Sequence, residues 1–209
     1  MAIEFLIIFI PMFIVIDPFG VLPIYLALTA SMDDPARAKT LKYSLVFATA
    51  LLAAFALVGK AILDYLSVSI DALRIAGGLL LLVIGIMMLY EGDTPRARRG
   101  NEEEPASEPA PHDPTDVAFV PLGTPMLAGP GAISVVIILT GTADVSLVVL
   151  SLLTVMLFVA ALLWQAKLLY KMIGKAGTRA LTRVMGLITS AYAVQMILDG
   201  IAGYVLNIT

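Results

Sequence analysis

The chain has no cysteine, one histidine and one tryptophan, and only 14% of its 209 residues are charged. Without thiols there is no disulfide, no thiol nucleophile and no cysteine-ligated metal. The one histidine, His112, lies in a Pro/Glu-rich stretch and reads as a solvated loop residue. No nucleotide-binding motif is present, so direct ATP drive would need another subunit. The alternating ten-residue pieces of an outer-membrane barrel are missing as well. The start, Met1-Ala2-Ile3-Glu4, lacks the basic region and small-residue cleavage pattern of a signal peptide, so the first hydrophobic segment is expected to stay attached.

What the chain has instead is apolar length. Hydrophobic residues make up 60% of it and the mean hydropathy is +0.97. Six apolar stretches, at about 3–29, 43–63, 72–90, 117–141, 146–169 and 184–206, each approach the span of a bilayer. About 20 helical residues cross about 30 Å of hydrocarbon. The expected fold is an all-α membrane protein with six transmembrane helices. Eleven of the thirteen basic residues fall in or beside the first, third and fifth loops, leaving only Lys60 and Arg74 on the other side. By the positive-inside rule those loops are cytoplasmic and both termini face outward.

Two of the six segments carry helix breakers where a span should be regular. In the first, Asp17-Pro18-Phe19-Gly20 is followed by Pro23; in the fourth, three prolines and three glycines fall within residues 121–131. Proline removes a backbone donor and crowds the carbonyl four residues back. In hydrocarbon such breaks survive only packed in protein or lining a wet cavity. The segments between and around them are plainer. Gly77 and Gly78 read as close helix contacts, Lys60 and Arg74 as snorkelling side chains, and Trp164 as an interfacial anchor.

The chain divides into a first three-helix repeat (1–90), an acidic and Pro-rich cytoplasmic linker (91–116) and a second, inverted three-helix repeat (117–209). Arg74-Ile75-Ala76-Gly77 opens the third helix and Arg183-Val184-Met185-Gly186 the sixth, while the first helix of each half is discontinuous. Interrupted helices in matching positions of inverted repeats point to a transporter's midplane site. Half-helix N-termini offer N–H groups to a carboxylate, and half-helix C-termini offer carbonyls to an ammonium group or cation.

The candidate binding residues are therefore Asp17, Pro18, Phe19 and Gly20 at the first break, Thr124, Ala128, Gly129, Pro130 and Gly131 at the second, and Gln195 in the last helix. Asp17 either accepts a proton, holds an ammonium group or caps the following half-helix, and these roles are compatible. Thr124 and Ser134 either face the site or bond their own helix. Gln195 either faces the cavity or joins helices.

Asp17-Pro18-Phe19-Gly20 with Pro23, Arg74-Ile75-Ala76-Gly77-Gly78, Pro121-Leu122, Gly129-Pro130-Gly131-Ala132-Ile133, and Arg183-Val184-Met185-Gly186-Leu187 with Ala193-Val194-Gln195 occur in order. In this the chain resembles, over nearly its whole length, the MarC-related family of six-helix integral membrane proteins, which includes SnatA-like small neutral amino acid transporters. The resemblance implies transport of glycine, alanine or similar amino acids, by uptake, efflux or exchange, and outward-facing termini. The acidic stretch at about 100–116 is longer than the family's usual middle connection.

The expected function is thus a secondary transporter, not an enzyme, without a cofactor and coupled to H⁺, to Na⁺ or to exchange. Its partners are a small neutral amino acid and the lipid bilayer, with a homo-oligomer compatible and no nucleic acid. Export of another small metabolite, or a non-transporting scaffold or sensor, are the alternatives.

Overall fold

The computed structural model describes residues 2–90 and 114–206. Among the described residues every regular element is helical: α1 (Ala2–Ile16), α2 (Pro18–Leu28), α3 (Asp34–Tyr65), α4 (Ile70–Tyr90), α5 (Pro114–Val117), a widened π-type segment (Ala118–Leu127), α6 (Pro130–Thr142), α7 (Val145–Trp164) and α8 (Ala166–Leu206). Five stretches are long and apolar enough to cross a bilayer: Ile3–Leu28, Asp34–Tyr65, Ile70–Tyr90, Val145–Trp164 and Ala166–Leu206. Thr115–Leu127 and Pro130–Thr142, meeting at 55°, make a sixth when the bent pair is counted as one span.

Three helix limits differ from the hydropathy reading. α3 starts at Asp34, ahead of the apolar stretch at 43–63 but where Ser31-Met32-Asp33-Asp34-Pro35 reads as a turn followed by a helix start: Asp33 caps it by accepting the Ala36 N–H at 2.8 Å and Pro35 suits a first turn. Its charged first turns form a surface extension of the span. The 167–183 connection is likewise helical as part of α8, interrupted at Gly174, whose φ of 70° favours glycine. Pro114–Asp116 begin a helix rather than end the linker, and the rest of 91–116, with His112, lies outside the described residues.

Lys167 Nζ sits 2.6 Å from Asp34 Oδ1, joining the start of α8 to the start of α3 at the basic end of the bundle. Phe47 and Phe119 meet edge to face at 5.0 Å in the α3 half nearer that end. At the opposite end a β-carbon on Gly141 would press on Ile70.

α4 and α8 run antiparallel in close contact. Added β-carbons at Gly78, Gly85 and Gly200 would lie 2.8 Å from the Ala193 carbonyl, 2.9 Å from the Gly186 carbonyl and 2.8 Å from the Asp71 carbonyl. The contacts recur every seven residues on both helices, so one straight seam is held by glycine. Without a hydrophobic force between helices in lipid, such close packing is what binds them. The main core joins Met12, Ile16, Leu22 and Tyr25 to Ala48 and Leu52 of α3 and to Leu152, Val155 and Val159 of α7.

Candidate functional site

The first break is one residue wide. Asp17 has φ 48° and ψ 67°, a left-handed conformation that its short polar side chain tolerates. Helical bonding carries on around it: the Asp17 N–H donates to the Phe13 carbonyl at 3.0 Å and the Val21 N–H to the Asp17 carbonyl at 3.1 Å. Pro18 has no N–H to lose, and the Gly20 N–H donates to Asp17 Oδ1 at 3.1 Å. Asp17 is thus the N-cap of α2, while its second carboxylate oxygen accepts no hydrogen bond among the described residues. The residue is 8% exposed. A β-carbon on Gly20 would strike the Asp17 carboxylate and come within 2.7 Å of the Met88 methyl group, so glycine is needed there. Phe19 is half-buried, edge-on to Phe13 at 6.1 Å and to Phe158 at 6.3 Å.

The second break is wider. The π-type segment has extended backbone at Val120 and Thr124, and the Val120–Pro121 and Thr124–Pro125 bonds are cis. The Ala128 N–H closes it by donating to the Gly123 carbonyl at 3.0 Å. Gly129, with ψ 167°, caps α6 without any side-chain hydrogen bond, and Pro130 takes the first helical position. The first helical bond runs from the Ile133 N–H to the Gly129 carbonyl at 3.0 Å. The N–H groups of Gly131 and Ala132 therefore have no partner in the helix, and both residues are buried. A β-carbon on Gly131 would collide with Leu81.

One stripe of α4 covers both breaks. Met88 meets Gly20 and Leu81 meets Gly131. Seven residues of helix separate the two side chains by about 10 Å. Ile16, Val21 and Leu22 from the first break and Leu127, Ala128 and Ala132 from the second share one packed cluster. Between them stand a carboxylate with an unused oxygen and a helix N-terminus with unused donors.

Thr124 lies on the limb that enters the second break and is half-buried, whereas the ring of Pro130 is exposed. Ser134 Oγ donates to the Pro130 carbonyl at 2.9 Å and so serves its own helix. Gln195 stands apart from the breaks. It is exposed, and its Nε2 donates to Asp199 Oδ1 at 2.7 Å. The face of α8 turned inward is instead Met185, Gly186, Thr189, Ala193, Met196 and Gly200. Arg74 does not snorkel freely: its Nη1 pairs with Asp71 Oδ1 at 2.9 Å. Asp71 is buried at the start of α4, a carboxylate that hydropathy assigns to a turn; its spacing of three from Arg74 was the available signal. Leu81 and Met88 carried no sequence signal as covers of the breaks.

The helices and the two buried interruptions define an integral, multi-pass membrane protein. Its residues 3–205 match the model of the MarC family integral membrane proteins. The chain belongs to that family. It is 37% identical over 206 residues to a UPF0056 membrane protein of Methanocaldococcus jannaschii, covering 97% of this chain and 98% of that one. It is 34% identical over 199 residues to a UPF0056 membrane protein of Archaeoglobus fulgidus, covering 93% and 90%. To the UPF0056 inner membrane protein MarC of Escherichia coli it is 32% identical over 200 residues, covering 88% of each. No solved structure matches the chain.

Proposed function

We propose that the protein is a secondary transporter of small neutral amino acids such as glycine and alanine. It works in an inner membrane with both termini on the outer side. The two breaks interrupt the first and fourth of six spans, arranged as two inverted three-helix repeats, and the zwitterion is held between them. The observation that carries the reading is the pairing, under one stripe of α4, of an acceptor with a donor. The Asp17 carboxylate keeps one oxygen unbonded at the first break. At the second, α6 begins with no side-chain cap on its buried N–H groups.

The Gly131 and Ala132 N–H groups bind the substrate carboxylate, aided by the positive end of the α6 dipole. The free Asp17 oxygen takes the ammonium group once the breaks close on the substrate, because their covers stand about 10 Å apart along α4, further than the charged groups of one α-amino acid reach. Leu81 and Met88 lie over the breaks and leave room only for a small side chain once they move aside. Gly20 and Gly131 let the substrate approach the backbone. Antiparallel packing of α4 on α8, the third helices of the two halves, fits an inverted repeat.

The test is uptake of labelled glycine and alanine into proteoliposomes, with a pH or a Na⁺ gradient imposed separately. Accumulation that follows one gradient supports the reading and identifies the coupling ion. Absence of both uptake and counterflow from correctly inserted protein would remove small neutral amino acids as substrates.

A further inference from the structure

A second site lies at the basic end of the bundle, away from the breaks. Between the first turns of α3 and the last turn of α7 runs a groove of about 580 Å³, lined by Ala38, Lys39, Lys42, Tyr43, Ala160 and Trp164 together with Leu41 and Leu45. Its shape comes from size: Ala38 and Ala160 leave a channel where larger side chains would fill the gap between the helices. Its chemistry is divided along its length. Lys39 and Lys42 are exposed at the mouth, and the Lys39 ammonium lies 5.7 Å from the centre of the Tyr43 ring. Leu45 and Ala160 continue the groove toward the apolar middle of the spans. Trp164 is 71% exposed at its rim although indole is largely apolar. The neighbouring Lys167 is paired with Asp34, so the two groove lysines carry the positive charge of the mouth.

We propose that this groove binds an anionic phospholipid, with the phosphate on Lys39 and Lys42 and one acyl chain laid between α3 and α7. Three features select this occupant. The charge is positive and sits at one end only, as a headgroup requires. The remainder is apolar and opens along the span, where lipid tails already lie. Tyr43 and Trp164 mark the depth at which amphipathic rings meet headgroups. Two lysines at one headgroup favour anionic over zwitterionic lipid roughly tenfold or more. The assignment is independent of the transport reading, since the groove touches neither break.

The single tryptophan of the chain lies in this groove, which makes it the reporter. The protein would be reconstituted in phosphatidylcholine vesicles carrying a small, varied fraction of lipid brominated high on the acyl chain. The lipid is either phosphatidylglycerol or phosphatidylcholine. Brominated phosphatidylglycerol is expected to quench Trp164 at least twofold more strongly at equal mole fraction. The excess should vanish in the Lys39→Gln/Lys42→Gln double variant and persist in Lys171→Gln/Lys175→Gln, whose lysines are exposed outside the groove. Equal quenching by the two lipids, or an excess that survives Lys39→Gln/Lys42→Gln, would overturn the proposal. So would loss of the excess on adding millimolar glycerol 3-phosphate at constant ionic strength, which would mark a site for soluble phosphate. Matching size-exclusion profiles of the variants guard against misfolding as the cause.

Discussion

The Gly20 N–H donates to the carboxylate of Asp17, and that carboxylate in turn leaves no room for a β-carbon at position 20. Asp17 thereby holds α2 in place while keeping one oxygen unbonded. Under the proposed function, structural and binding roles share one carboxylate, and substitutions can separate them.

At Asp17, asparagine tolerates the left-handed backbone and still caps, so Asp17→Asn is expected to lie within about 0.5 kcal/mol of wild type. Asp17→Ala loses the cap and should cost about 1–2 kcal/mol, with Asp17→Gly between them. Transport should fall in all three, because each removes the charge. Denaturation in detergent gives the stability order, and an Asn variant with full uptake would leave Asp17 only its capping role.

The glycine seam predicts a contrast of mechanism. A β-carbon on Gly186 would lie 2.8 Å from the Gly85 carbonyl, so Gly186→Leu must push the α4 and α8 backbones apart. The expected cost is about 1–3 kcal/mol or more. A β-carbon on Gly174 meets nothing within 4 Å, yet its φ of 70° strains alanine. Gly174→Ala should cost about 1–3 kcal/mol through backbone strain alone, with α4–α8 cross-linking across Gly85 and Gly186 unchanged.

Asp71 and Arg74 are paired at 2.9 Å with side chains 12% and 26% exposed. Arg74→Gln leaves the Asp71 carboxylate without this ion pair and is expected to cost about 2 kcal/mol, below the 3–5 kcal/mol typical of fully buried pairs. The double variant Asp71→Asn/Arg74→Gln should recover at least half of that. A double-mutant cycle on unfolding reads the coupling, and additive losses would show that the two side chains act separately.

Outside the membrane, Asp144 caps α7. The Ser146 hydroxyl and then its backbone N–H hold the Asp144 carboxyl below the ordinary carboxylate range. A depressed folded value stabilises the protein above the unfolded value, near 3.9, and the contribution is lost as pH falls through the folded one. Ser146→Ala should raise the Asp144 pKa toward the ordinary range in a carbon-13 carboxyl titration, shifting that loss to higher pH.

The six apolar stretches were legible because a bilayer demands a length of apolar residues that little else in a sequence imitates. Hydropathy was blind where charge and helix coincide. Asp34 to Lys42 and Lys167 to Arg183 are basic yet helical, since turns of helix that extend a span beyond the hydrocarbon need no apolar run. Pro18 and Pro130 could be singled out because proline acts locally on its own backbone. The 55° bend falls just before Pro130, whereas Ile3–Leu28 runs on as one span past Asp17. The common cover of the two breaks was not legible, because Leu81 and Met88 look like any apolar residues until α4 is packed against them. The orientation of Gln195 was not legible either: composition places a polar residue in a span but does not phase the helix, and the inward face passes through Ala193 and Met196.

The most direct test of the central claim, that the two breaks together hold the substrate, is counterflow of labelled alanine in proteoliposomes by wild type and Gly131→Leu. A side chain at 131 meets Leu81 and covers the buried N-terminus of α6. The account predicts exchange of labelled alanine against unlabelled alanine or glycine by wild type, none against glutamate, and none by Gly131→Leu inserted at equal density. Undiminished exchange by that variant would contradict it.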